Sequence, residues 1–146
     1  MITISLCMIV KNEEKVLARC LDSIADLMDE IIIVDTGSSD NTKEIAKKYT
    51  DKIYDFAWID DFSAARNYSF SKATKEYIYV ADADEVIDAD NHRKLAELKE
   101  VLIPEIEIVQ MRYCNQLANG TAYNFDEEYL SLIHISEPTR PEAISY

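Results

Sequence analysis

Residues 30–40 read EIIIVDTGSSD. Four branched apolar residues lead without alternation into Asp35, and a polar turn around Gly37 follows at once. An unbroken apolar run of this length is the mark of a strand covered on both faces, as in the interior of a parallel sheet. Two other segments share the design. Residues 2–10, ITISLCMIV, run into Lys11-Asn12-Glu13, and residues 77–81, YIYVA, run into Asp82-Ala83-Asp84-Glu85.

Helical spacing fills the gaps between these strands. Asn12 is expected to cap a helix with Glu13 and Glu14 in its first turn, where the helix dipole favours acids. Val16, Leu17, Cys20, Leu21, Ile24 and Leu27 then form its apolar face. Residues 42–49 read as a short helix and residues 52–56 as a third, weaker strand. Residues 63–73 read as a helix capped by Ser63, and residues 89–102 as another, closed by Pro104. Residues 106–113 read as a fifth strand. The alternation predicts an α/β fold: an open, mostly parallel sheet with helices on both faces and right-handed crossovers.

Asn119-Gly120 is a tight-turn dipeptide suited to a hairpin between Cys114 and Tyr123. From Leu132 onward, LIHISEPTRPEAISY carries no pattern that belongs with the preceding elements. The expected domain is residues 1–130, with residues 131–146 a non-native or disordered tail.

Composition narrows the function. A chain of 146 residues, 48% hydrophobic, is one ordinary globular domain. Its net charge of -13 argues against a nucleic-acid partner and implies that any phosphorylated ligand needs a cation beside it. The two glycines, Gly37 and Gly120, are too few for a dinucleotide-binding glycine motif or a Walker A loop. Cys7, Cys20 and Cys114 form no C-x-x-C pair, so neither zinc nor a disulfide framework is expected, and a reduced cytoplasmic setting fits. The apolar run Leu6 to Val10 is far too short to span a membrane, and no basic segment precedes it as in a signal peptide.

In open α/β sheets ligands bind beyond the carboxyl ends of the strands. Parallel strands would bring Lys11-Asn12-Glu13, the loop from Asp35 to Asp40, and Asp82 to Glu85 to one edge. Asp82 and Asp84 form a D-x-D, hard oxygen donors suited to Mg²⁺ or Mn²⁺ bridging to substrate phosphates. The plainer alternative is an acidic helix start. Asp35 is a candidate acceptor for a base or ribose, or else the side chain of an Asx turn with Gly37. Residues 38–41 read as helix-capping residues. Arg66 is a candidate diphosphate ligand, or else a surface helix arginine. His92 carries no functional expectation, and a calcium loop over residues 82–90 fails because Ile87 occupies the position that needs glycine.

ISLCMIVKNEE, DEIIIVDTGSSDNT and FSAARNYSFSKATKEYIYVADADE, taken together, resemble the N-terminal half of the family 2 glycosyltransferases, over residues 1–113. The resemblance is to the bacterial branch that includes sublancin-type peptide glycosyltransferases. It implies a GT-A, Rossmann-like nucleotide-binding half and transfer of a sugar from a nucleotide-diphosphate donor, a UDP-sugar, with Mn²⁺ or Mg²⁺. It implies that Val10, Lys11, Asn12 and Asp35 line the base pocket and that Arg66 sits beside base and diphosphate. Asp82 would hold the ribose and Asp84 the metal, with Asp82 its neighbour in the metal motif. Ser69 departs from the family, where many members have glycine, which puts the local backbone in question. The family's catalytic base lies in an acceptor-binding half that this chain is expected to lack. Glu127 and Glu128 do not sit in its motif, so no catalytic residue is assigned and the chain is expected to be inactive in transfer. The competing expectations are an acidic α/β interaction module without catalysis and a nucleotidyltransferase-like domain, although KNEE is not the basic glycine-rich loop the latter uses. A dehalogenase-type phosphatase would carry its D-x-D after the first strand instead.

Overall fold

In a computed structural model of the protein, residues 1–101, 108–116 and 123–134 are described, the last two segments as backbone only. Ile4–Val10 (β1), Glu30–Asp35 (β2), Ile53–Asp55 (β3) and Tyr77–Val80 (β4) are the expected strands. Ile108–Gln116 (β5) and Tyr123–His134 (β6) complete a six-stranded sheet of order β3-β2-β1-β4-β6-β5. The first four strands are parallel, while β6 is antiparallel to both β4 and β5. The expected fifth strand therefore runs in the direction of the parallel array, but β6 separates it from β4. It forms an antiparallel pair with β6, with Gln116 opposite Tyr123, as expected of a hairpin between Cys114 and Tyr123. The proposed turn at Asn119-Gly120 lies outside the described residues.

Leu132, Ile133 and His134 belong to β6 and pair with Tyr79, Ile78 and Tyr77, so a strand runs four residues past the expected boundary at 130. Residues 135–146 lie outside the described residues.

Burial along β1 explains the layers. Ile4, Leu6, Met8 and Val10 point to one face, where they meet Leu17, Leu21 and Ile24 of α1 (Leu17–Ile24) and Leu95 of α4 (Ala89–Val101). Ala46 of α2 (Thr42–Ala46) joins the same cluster. Cys7, Ile32, Val34 and Ile78 point to the other face, against Tyr68 and Phe70 of α3 (Phe62–Lys72). Tyr68 packs there with its ring 5.1 Å from Phe56 and 6.2 Å, edge-on, from Tyr54. Both faces of the parallel strands are covered, which is why their sequences read as continuous apolar runs.

Two helix starts differ from expectation. The first helix begins at Leu17, with Val16 in the cap position and no side-chain cap, and it tightens into a 3₁₀ turn over Ala25–Leu27. Asn12 does not cap it; it sits at φ 54 and serves the site edge instead. Ser63 does not cap the third helix. Asp61 does, its Oδ1 accepting from the Ala64 N–H at 3.2 Å. At the second helix Asp40, one of the expected capping residues 38–41, accepts from the Thr42 N–H at 3.0 Å, while Ser38 Oγ accepts from the Asn12 N–H. Ser69 lies inside the third helix with an ordinary helical backbone, its hydroxyl donating to the Arg66 carbonyl at 2.7 Å, which answers the question of a serine there.

Candidate functional site

β2 and β3 lie on one side of β1 and β4 on the other, so the chain reverses direction across the sheet between β1 and β4. That reversal is where an open α/β sheet leaves a crevice at its carboxyl edge. The register pairs Ile4 with Tyr77 and Cys7 with Val80. Continued at the same offset, it brings Asp82 and Ala83 level with Ile9 and Val10. A cleft of about 370 Å³ opens at this point, lined by the ends of β1 and β4, by Glu13 and Thr36, and by Trp58 and Phe62. The size suits a small-molecule ligand.

The cleft gathers Val10, Lys11, Asp82 and Asp84 from among the expected site residues. Arg66 lines a smaller recess beside it, together with Phe62 and Asp82, and its guanidinium lies 4.8 Å from the Phe62 ring centroid. Asn12 and Asp35 stand behind the cleft and do not line it. The Asn12 amide oxygen accepts from the Ser39 N–H at 2.8 Å, while its own N–H donates to Ser38 Oγ at 2.9 Å. Glu13 N–H donates to Thr42 Oγ1, and Asn41 N–H to Glu14 Oε2. The loop after β1 is thus laced to the loop after β2, and the left-handed backbone at Asn12 turns the chain so that this lacing forms.

Asp35 takes the turn role, one of the two expected for it. Its Oδ1 accepts from Gly37 N–H at 2.8 Å and Ser38 N–H at 2.7 Å, the Asx-type turn. Gly37 sits at φ 122, which only glycine adopts without strain. The other oxygen, Oδ2, is buried with no partner, on a residue that is 1% exposed.

Burial and neighbouring acids raise the proton affinity of Glu85, Asp82 and Glu13. Burial pushes the Glu85 carboxyl up to about 8, with the charge of Asp82 adding to the shift. Asp82 is exposed as a residue, yet desolvation of its carboxyl and then the charge of Asp84 raise it above the ordinary carboxylate range, opposed by Arg66. Glu13 is raised by burial and then by Asp84 and Asp82. The cleft is therefore a place where positive charge is welcome. Among the described residues, no cluster of three or more His, Cys, Asp or Glu forms a metal cage by itself. His92 pairs with Asp26 on the surface, its Nε2 2.9 Å from the carboxylate, away from the cleft.

Trp58 and Phe62 line the cleft without having been anticipated. Glu13 and Thr36, which also line it, belong to the strand-end clusters expected at this edge. Trp58 and Phe62 lie in an acidic loop, WIDDF, where nothing in the residue pattern marks an aromatic as a cleft wall.

An open α/β sheet with a carboxylate-lined cleft at its switch point is a Rossmann-like arrangement. Residues 5–136 match the family model described as glycosyl transferase family 2, and the chain belongs to that family. It is 51% identical over 85 residues to a TPR repeat-containing protein of Synechococcus elongatus, covering 58% of this chain and 21% of that one. It is 41% identical over 102 residues to the SPbeta prophage-derived glycosyltransferase SunS of Bacillus subtilis, covering 68% of this chain and 24% of the relative. Of solved structures, Staphylococcus aureus TarS 1–349 superimposes with a TM-score of 0.57 at 24% identity, over 67% of this chain and 32% of that one. Glucosyl-3-phosphoglycerate synthase of Mycobacterium tuberculosis, in complex with UDP, gives 0.67 at 17% identity, over 91% and 57%. The chain spans about a fifth to a quarter of the length of these curated relatives. No helix among the described residues is long and apolar enough to cross a membrane.

Proposed function

We propose that this chain forms the donor-binding part of a glycosyltransferase, holding a nucleotide-diphosphate sugar, a UDP-sugar, with a divalent ion. The observation that carries the reading is the meeting of β1 and β4 at the switch point, with Asp82 and Asp84 at the mouth of a nucleotide-sized cleft. The M. tuberculosis synthase, a fold relative, has been solved with Mg²⁺ and UDP and with Mn²⁺ and UDP-glucose.

The residues fit such an ion. Asp82 and Asp84 are both solvent-exposed carboxylates, and an incomplete protein donor set is what Mg²⁺ and Mn²⁺ use when phosphate and water supply the remaining ligands. When bound, the ion neutralises charge on the departing diphosphate. Asp84 takes the metal role, and Asp82, tied to Glu85, takes the ribose. Asp35 Oδ2 is an unmet acceptor behind the cleft, and a base N–H that reached it would satisfy it. Asn12 serves by fixing the loop from which Val10 and Lys11 face the cleft, and Arg66 supplies positive charge beside Asp82.

Calorimetry with UDP tests the reading. UDP is expected to bind with Mg²⁺ or Mn²⁺ present and to lose most of its affinity in EDTA. Asp84→Asn is expected to abolish the metal-dependent part, because an amide is a poor ligand for a hard ion, while Asp82→Asn weakens binding less. Equal and mild losses in both variants would reduce the D-x-D to an acidic helix start, and the acidic interaction module would become the better reading.

A further inference from the structure

Trp58 is the one tryptophan of the chain, and it stands 43% exposed on the wall of the cleft. A large aromatic left open to water at the edge of a ligand-sized hollow is a costly arrangement unless something covers it. Its neighbours fix it in place. The indole N–H donates to Asp60 Oδ1 at 2.8 Å, and Asp60 holds a left-handed backbone at φ 57, a conformation that disfavours non-glycine residues. The polar edge of the ring is thereby satisfied within its own loop, and what remains to bind with is its π-face.

Position along the cleft decides what that face meets. Trp58 follows β3 closely, two residues beyond Phe56, whose N–H donates to the Asp35 carbonyl at 2.9 Å. It therefore enters the cleft from the β2–β3 side. Phe62 lies toward β4, lining the recess that Asp82 and Val80 also line, with the Arg66 guanidinium over its ring. Among the described residues these two are the aromatic side chains of the cleft. The carboxylates sit at the β4 end, so a diphosphate held there through a cation leaves its nucleoside pointing toward β2, where Trp58 stands.

We propose that Trp58 is the stacking platform for the nucleobase of the donor, a positioning and affinity residue for the planar end of the ligand. The assignment rests on the donor-binding reading above. It adds a residue from outside the strand-end motifs and gives the loop between β3 and α3 a task.

The chain carries its own probe, since all tryptophan fluorescence comes from Trp58. Titration of the full chain with UDP and Mg²⁺ is expected to quench that fluorescence, and inorganic diphosphate with Mg²⁺ is expected to bind without quenching. By calorimetry, Trp58→Ala should weaken UDP about 5- to 150-fold, the equivalent of the ~1–3 kcal/mol carried by one base-on-aromatic stack. Diphosphate affinity should not change, and Trp58→Phe should stay within about fivefold of the parent. If UDP binds the parent without quenching and Trp58→Ala binds it equally well, the stacking role is overturned while donor binding stands. Equal losses for UDP and diphosphate in Trp58→Ala would make the residue a structural prop and overturn it as well. Absence of UDP binding to the parent by calorimetry would remove the donor reading and this assignment together.

Discussion

Protonation of one buried carboxylate, Glu30, should remove a measurable share of the protein's stability in acid. Glu30 starts β2, and its side chain is 1% exposed. Its Oε1 accepts from Ser5 Oγ at 2.7 Å and from the Thr74 N–H at 2.8 Å, while Oε2 accepts from Thr74 Oγ1 at 2.7 Å and pairs with the Lys52 ammonium. Ser5 Oγ in turn accepts from the Lys75 N–H. One carboxylate thus binds β1, β2 and the approach to β4 together. Burial alone would raise its pKa, but the bonds from Lys52, Ser5 and Thr74 outweigh it and bring the group from its ordinary 4.5 down to about 2.

A folded pKa below the unfolded one means that the stabilisation is fully present above pH 4.5 and disappears as pH falls toward 2. The displacement corresponds to about 3 kcal/mol at neutral pH. Lys52 is 47% exposed and its contribution is screened by water, which trims the expectation to about 2–3 kcal/mol. The assay is urea unfolding of the parent and Glu30→Gln at a series of pH values. The difference should be largest at pH 7 and smaller by about 1 kcal/mol at pH 3.5, because by then part of the parent's carboxylate advantage is gone. A difference that stays flat from pH 7 to pH 3.5, or a Glu30 carboxyl that titrates near 4.5 by NMR, would refute the reasoning.

Gly37→Ala should destabilise the fold by about 1–3 kcal/mol in urea melts, through backbone strain at φ 122 alone, since an added Cβ meets nothing within 4 Å. Leu21→Ala, at a fully buried position between α1 and the sheet, should cost about 2–5 kcal/mol and leave the secondary structure unchanged by circular dichroism. Asp35→Asn keeps an oxygen for the Gly37 and Ser38 N–H groups but presents a donor where Oδ2 stood. UDP affinity by calorimetry should fall about 10- to 150-fold, the loss of one hydrogen bond to a charged group worth ~1.5–3 kcal/mol, while the melting temperature moves little.

The parallel half of the fold was legible because its strands are covered on both faces. Leu6 to Val10 and Ile31 to Val34 have no solvent side, so nothing in them alternates, and the polar residue that ends each run marks the carboxyl edge. Convergence of Lys11, Asp82 and Asp84 followed from that alone. Strand order at this edge was less visible. Residues 108–116 run in the direction of β4, as expected, but β6 inserts between the two, and an apolar run carries no sign of which strand lies beside it. The role of Asn12 was hidden for a related reason. A residue before a helical pattern reads as a cap, but Asn12 finds its partners at Ser38 and Ser39, 26 and 27 positions along, and only the assembled edge supplies them. Asp61 took the cap that Ser63 was expected to provide because Asp60, at positive φ, turns the chain two residues earlier than the helical pattern suggests.

The two edges of the parallel sheet are built on opposite rules, and the contrast itself argues for where ligand binds. At the amino edge polar side chains find partners. Glu76 accepts from Thr3 N–H and Oγ1, Asp29 accepts from Ile4 N–H and pairs with the nearly buried Lys99, and Glu30 closes the network around Ser5, Thr74 and Lys52. At the carboxyl edge the described residues hold every positive φ, at Asn12, Gly37 and Asp60. The same edge carries the buried, partnerless Oδ2 of Asp35 and Oε2 of Glu85, and the acids Asp82 and Glu85, whose proton affinity burial and neighbouring charge raise. Each of these features costs free energy, and none improves the core. Under the proposed reading, an edge that leaves polar groups strained and unmet while the other satisfies them is the edge that takes the ligand. The guest that best relieves this edge brings a cation to the acids, a donor for Asp35 and a flat face for Trp58, which a metal-bound nucleoside diphosphate does in a single molecule.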